Sequence, residues 1–185
     1  MLTDEQIREN RKEIIDYLRS TGRDGIERLI DFLNESGYFY IYGSFRHHAY
    51  KGGLAEHSLE ILRYALENNV NCRKDSIIIC AIAHDLCKVK YTFPEGSAFH
   101  GHGSKSAAII EDFLNIHLTE SEHNAIRFHM GSRSYLRNND DKKRYEDAKK
   151  SPLWELIHVG DCISAGRYHK SLHCLVKKII QIGKL

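Results

Sequence analysis

Several things are scarce in this chain of 185 residues. It has no long apolar run: the longest, Ile77 to Ala83, falls far short of the roughly 18 residues that would begin to suggest a membrane span, so a soluble protein is expected. Proline is almost missing, with Pro94 and Pro152 the only two, so little interrupts helices. The five cysteines (Cys72, Cys80, Cys87, Cys162, Cys174) form no CxxC pair and are odd in number, and Met1 to Glu5 contain no apolar signal region. A reducing cytoplasm therefore fits better than a secreted, disulfide-stapled chain. No charge of one sign dominates: 27 basic against 25 acidic side chains leave a net charge of +2. That excludes the broad basic surface of a dedicated duplex nucleic-acid binder, and any anionic partner should be recognised locally.

What the chain does have is histidine, twelve in all, and apolar residues that recur at three and four positions. The periodicity predicts an all-α protein in a single domain, large enough to bury a core without metal or disulfide staples. Thr3 with Gln6 forms a capping box that opens a first helix buried through Ile7, Ile14 and Leu18. A second runs from about 24 to 36 and stops at Gly37. Tyr38 to Tyr42 (YFYIY), aromatic and β-branched before Gly43, reads as a short extended piece or hairpin at 38–43. After Gly52-Gly53 a helix carries Leu54, His57, Ile61 and Ala65 on one stripe. Ser76 to Cys87, apolar on every side, reads as the buried central helix. Tyr91 to Gly103 reads as a loop and Lys105 to His117 as a helix. Thr119 with Glu122 caps a short helix containing His129, and residues 132–151, dense in charge and poor in aliphatics, read as a solvated excursion. Ser151-Pro152 starts a helix through Trp154, Ile157 and Asp161, and a last amphipathic helix carries Leu172, Leu175, Val176 and Ile179.

Chemistry concentrates in His57, the pair His84-Asp85, His102, His129 and Asp161, each on or beside a different hydrophobic segment. An ionised carboxylate taken into an apolar interior costs several kcal/mol. Yet Asp85 ends the most hydrophobic helix, Asp161 shares a face with Ile157, and no Lys or Arg lies one turn before either. A divalent cation satisfies carboxylates and imidazoles together. Six donors exceed what one tetrahedral zinc needs, and two ions sharing Asp85 use the set better.

These residues resemble the HD-domain metal-dependent phosphohydrolases. HHAYKGGLAEHS at positions 47–58 is similar to the first-histidine motif of the exonuclease-like and oligonucleotide-processing branches. AIAHDLCK at 81–88 is similar to the defining His-Asp motif with its trailing lysine. GHGSKSA at 101–107, AIRFHMG at 125–131 and HVGDCISA at 158–165 follow in order. The resemblance covers about 45–170, leaving 1–44 to pack on that core and 170–185 as a C-terminal helix.

It implies an HD-type helical bundle in which His57, His84, Asp85 and Asp161 hold one metal and Asp85 bridges to a second held by His102 and His129. The ions would be iron, manganese, magnesium, nickel or zinc, and a hydroxide bridging them would attack phosphorus. Lys88 would touch a phosphoryl oxygen. Arg46, His47 and Lys51 enter the helix bearing His57, where free backbone N–H groups favour anions. With Lys105 and Arg133 they are the candidate contacts to substrate phosphate. Arg137, Lys142, Lys143 and Arg144 extend a basic rim, and Tyr38, Tyr40 and Tyr42 are offered as base-stacking rings, although core packing and a solvated loop explain both groups as well. His48 stays open, and His100, His117, His123, His158, His169 and His173 read as ordinary residues. The implied substrate is a nucleotide, dinucleotide or short oligonucleotide. The alternatives are a di-iron oxygenase on the same ligands and a nucleotide sensor without turnover.

Overall fold

The computed structural model describes residues 1–89, 101–134 and 136–167. Among them there are eight α-helices and no strand: α1 (Asp4–Ser20), α2 (Ile26–Glu35), α3 (Gly53–Glu67), α4 (Lys74–Ala83), α5 (His102–Ala108), α6 (Glu120–Arg127), α7 (Asn139–Ala148) and α8 (Pro152–Ser164). The expected all-α class holds.

Local sequence explains where these helices start. Thr3 and Thr119 both form complete capping boxes, with Gln6 and Glu122 as the reciprocal partners, which satisfies N–H groups that no intrahelical carbonyl can reach. Pro152 sits in the first turn of α8, where its missing N–H costs nothing. Packing then follows from burial. Helix α4 has no polar face from Ser76 to Ala83, and Ile77, Ile78, Ile79 and Ile82 are all fully buried; each such side chain is worth about 1.5–3 kcal/mol of transfer free energy. It lies against α1, α3, α6 and α8, while α3 packs on α8 and α5 on α6. The centre of the bundle is therefore surrounded by the helices that carry the histidines.

Three expectations need correction. Tyr38 to Tyr42 is a run of turns and bends, not a strand, and the adjacent Tyr38 and Phe39 are both fully buried, where a strand covered on one face would alternate. The Tyr38 hydroxyl donates to Ser58 Oγ at 2.7 Å, so this ring is core and not a stacking platform. The helix expected over Lys105–His117 begins earlier, at His102, and leaves through a π-turn at Ile109–Phe113. Arg28 ends it by donating to the carbonyls of Leu114 and Asn115 at 2.7 and 2.8 Å. The solvated excursion at 132–151 contains α7, anchored by charge and aromatics where aliphatics are few. Asp141 accepts from Arg127 at 2.6 Å and from the Arg137 amide at 2.9 Å, and the Tyr145 ring lies 5.7 Å from that of Phe128. The helix expected around Leu172–Ile179 and the loop expected from Tyr91 lie, wholly or mostly, outside the described residues.

One buried ion network ties α4 and α6 to the segment between α1 and α2. Glu122, with a fully buried side chain, accepts from Arg23 at 2.6 and 3.1 Å and from Ser76 at 2.6 Å. Burial opposes ionisation of Glu122, but the Arg23 and Ser76 hydrogen bonds hold its pKa below the ordinary value. The stabilisation is therefore complete above the unfolded glutamate pKa of about 4.3 and is lost as pH falls through the lower folded value. Glu122→Gln should cost about 2 kcal/mol at neutral pH, since it removes the charge-assisted bonds of one carboxylate on the Arg23 guanidinium while Asp75, at 3.0 Å, remains as the other. In thermal melts the gap between variant and wild type should narrow below pH 4.3; an equal gap at both pH values would exclude this role.

Candidate metal centre

Adjacent residues in a helix point about 100° apart, so His84 and Asp85 reach one centre only if the helix stops between them. It does. Helix α4 ends at Ala83, His84 keeps helical dihedrals as its cap, and Asp85 leaves them at φ −115°, ψ 19° before a 3-10 turn over Leu86–Lys88. His57 comes from α3, His102 from the first position of α5, His129 from just beyond α6, and Asp161 from the last turn of α8.

Glycine sets one of these approaches. A Cβ at Gly103 would lie 2.3 Å from the Arg127 carbonyl oxygen, so only glycine lets α5 come this close to α6. That contact brings His102 Nε2 to 3.0 Å from His129 Nε2.

The six side chains converge as two overlapping groups. In one, His57 Nε2 lies 3.2 Å from Asp161 Oδ1, 3.3 Å from His84 Nε2 and 3.8 Å from Asp85 Oδ2, and His84 Nε2 lies 3.2 Å from that same Asp85 oxygen. In the other, Asp85 Oδ1 lies 3.6 Å from His102 Nε2 and 3.7 Å from His129 Nε2. Donors held about 2.1 Å from one ion lie about 3.0–3.4 Å from each other, close to the spacing here. His57, His84, Asp85, His129 and Asp161 are all buried.

Hydrogen-bond bookkeeping shows why these atoms suit a cation. His84 Nδ1 donates to the Ala81 carbonyl at 2.8 Å and His129 Nδ1 to the Ile126 carbonyl at 2.7 Å. His57 Nδ1 lies 2.8 Å from Ser164 Oγ, which itself donates to Glu60 and so accepts from the ring. In all three the outer nitrogen carries the proton and Nε2 is turned inward, as in ligating histidines. Burial pulls the pKa of His57 and His102 down, and burial together with the neighbouring His102 and His84 rings takes His129 to about 3. For His84 burial acts in the same downward direction, but the adjoining Asp85 carboxylate overrides it and raises the pKa. Burial also opposes ionisation of Asp85 and Asp161. Lys88 and His84 nevertheless hold Asp85 well below the usual carboxylate range, and the His57 hydrogen bond does the same for Asp161.

Two cations not foreseen as partners of these aspartates sit at the rim. Lys88 Nζ is 2.5 Å from Asp85 Oδ2 and Arg167 is 3.4 Å from Asp161 Oδ2. They do not complete the accounting: Asp85 Oδ1 is buried and has no hydrogen-bond partner among the described residues. An orphaned carboxylate oxygen facing two inward imidazole nitrogens fits a divalent cation by donor type and by position.

The candidate substrate contacts divide. The His47 ring centroid lies 5.0 Å from that of His57, beside the centre. Lys88, a quarter exposed, stands at its mouth, and Arg133 shares a small crevice with His102. Lys105 is half-buried on α5. Lys51 is turned away, pairing with Asp4 at 2.7 Å at the start of α1, and Arg46 is exposed over the Phe45 ring. Arg144 donates to Asn124. Tyr40 and Tyr42 remain exposed. Sequence reasoning missed Glu60, Ser164 and Arg167, and it passed over His158, which donates to the His129 carbonyl at 2.6 Å. The usable signal was helical spacing, because Glu60 and Ser164 each lie three residues after a candidate ligand.

Residues 54–166, more than half of the chain, match the HD domain family. The chain belongs to the HD domain family. Searches of curated proteins and of solved structures returned no match. HD domains bind divalent metals and are mostly metal-dependent phosphohydrolases, and the His/Asp groups of this HD domain are consistent with such a centre. No helix among the described residues is long and apolar enough to cross a membrane.

Binding that favours the folded state raises stability, by about 2.7 kcal/mol at a free ligand concentration 100 times Kd. For a chain of this size that corresponds to a rise in Tm of about 5–10 °C. Manganese added to chelator-treated protein should produce such a rise, and Asp85→Asn should remove most of it; equal melting curves with and without the ion would exclude the site.

Proposed function

We propose that this HD domain hydrolyses a phosphate ester of a nucleotide, dinucleotide or short oligonucleotide with two divalent ions at the His/Asp centre. The observation that carries the reading is the Asp85 carboxylate. Its Oδ2 faces His57 and His84 and its Oδ1 faces His102 and His129, the arrangement of a bridging ligand. His57, His84 and Asp161 would complete one ion, and His102 and His129 the other. When bound, the ions supply Lewis acidity toward a phosphoryl oxygen and an acidified water as nucleophile.

The chain's own residues do the rest. Buried helices hold six donors in place before substrate arrives, so little reorganisation accompanies the reaction. Lys88 is tied to Asp85 by its position three residues on, and its side chain is partly exposed. The Lys88 ammonium is placed to reach a phosphoryl oxygen of a bound substrate, where it would offset charge developing in the transition state. His47 lies beside the His57 ring, and burial, then the neighbouring His57 and Lys88, lowers its pKa to about 4. It is therefore neutral at pH 7 and suited to orienting a hydroxyl or water more than to pairing with phosphate. Arg133 and Lys105 border the His102 side. The imidazoles suit iron, nickel and zinc, and the carboxylates add manganese; magnesium, which prefers oxygen ligands, fits the set least well.

Mononucleotides, dinucleotides and short oligonucleotides incubated with manganese-loaded protein should release phosphate or nucleotide. Asp85→Ala should abolish turnover together with metal uptake. Lys88→Met should keep the metal but lower kcat about 10²–10³-fold, the usual loss for one donor to a developing oxyanion. An Asp85→Ala protein with wild-type activity would sink the reading, and full kcat in Lys88→Met would remove Lys88 from it.

A further inference from the structure

The segment between α2 and α3 brings His47 and His48 against the His57 ring, with centroids at 5.0 and 5.2 Å. Three imidazoles this close suggest another ion, since their nitrogens form a compact group. Donor accounting argues otherwise: His57 spends Nδ1 on Ser164 and Nε2 on the centre already described. The remaining contacts lead instead to Glu60, one turn after His57 on α3.

A carboxylate only accepts hydrogen bonds, and that fixes the direction of every link around Glu60. His48 Nε2 donates to Glu60 Oε2 at 3.2 Å. On its other side, His48 Nδ1 lies within hydrogen-bond distance of His47 Nδ1, at 3.2 Å. Ser164 Oγ donates to the same Glu60 oxygen at 2.5 Å, leaving the hydroxyl lone pairs to receive the His57 Nδ1 proton at 2.8 Å. Two chains of hydrogen bonds, one from a candidate metal ligand and one from the wall facing it, meet on a single oxygen. The backbone of His48 is held as well: its carbonyl accepts from the Gly43 amide at 2.9 Å, its φ is +51°, and a Cβ at Gly53 would lie 2.1 Å from its oxygen.

We propose that Glu60 is a positioning residue that couples the metal centre to the 43–52 segment: through Ser164 it fixes the tautomer and orientation of His57, and through His48 it fixes the segment that carries His47. The proposal rests on the reading of His57 as a metal ligand. Groups that orient ligating histidines typically change metal affinity about 10–100-fold when removed. Because Glu60 and Ser164 act on His57 through one path, their effects should not add. Glu60 is 43% exposed, so its truncation should leave the fold intact.

The test uses manganese binding, followed by loss of the free-ion paramagnetic signal, together with hydrogen exchange of the full chain. Glu60→Ala and Ser164→Ala should each weaken manganese binding about 10–100-fold, and the double variant should be no weaker than the worse single. Glu60→Gln, whose amide oxygen still accepts, should stay near wild type. Lys12→Ala, which removes an exposed pair with Asp16 on α1, should bind like wild type. Exchange at the Gly43 amide should accelerate in Glu60→Ala and not in Ser164→Ala, and manganese should slow it in wild type but not in Glu60→Ala. Wild-type affinity in both single variants, or additive losses in the double, would overturn the coupling alone. Failure of the wild-type protein to take up manganese would overturn the proposed function along with it.

Discussion

A carboxylate at the C-terminal end of an apolar helix is in a poor place. The peptide dipoles of α4 sum to a partial negative charge near Asp85, and burial removes the water that would otherwise solvate it. Every feature of the centre answers that demand. Lys88 reaches back from the following 3-10 turn, four imidazoles close in from separate helices, and one carboxylate oxygen has no hydrogen-bond partner among the described residues. The end of α4 at Ala83 makes this possible, since it turns the side chains of His84 and Asp85 toward a common point. The all-buried character of α4 then follows as a requirement, because the helix must be surrounded on all sides for ligands to arrive from all sides.

The supporting layer shows how the ligands are aimed. His84 and His129 each donate the outer ring proton to a main-chain carbonyl three residues back, so their orientation is set by the helix ends themselves. His57 differs, because it sits within α3 and relies on side chains, Ser164 from α8 and Glu60 from its own helix. His102 depends on the close approach of α5 to α6 at Gly103. One function, presenting Nε2 inward, is achieved by three distinct local devices.

How much of this could be read from sequence depended on the range of the interaction. Capping boxes at Thr3 and Thr119 and the proline start of α8 are signalled within four residues and appear as expected. The six candidate ligands were legible because buried acids and imidazoles conflict with an apolar surrounding, and that conflict is visible in the order of residues. The turns at 38–42 were not, because an aromatic run looks the same whether it alternates across a sheet or turns two rings into one core. Helix α7 was hidden for a related reason: its anchors are Asp141 with Arg127 and Tyr145 with Phe128, and pairs between elements leave no periodic trace. Nor did anything local announce the pairing of Lys51 with Asp4, 47 residues earlier.

The contact at Gly103 makes the two halves of the centre mechanically unequal. Spacing between His102 and His129 is fixed by main chain resting against main chain, which has almost no freedom to yield. The half formed by His57 and Asp161 hangs on side-chain hydroxyl and carboxylate links that can lengthen by tenths of an ångström at small cost. Changes of spacing within the cluster are thus resisted between His102 and His129 and taken up around His57.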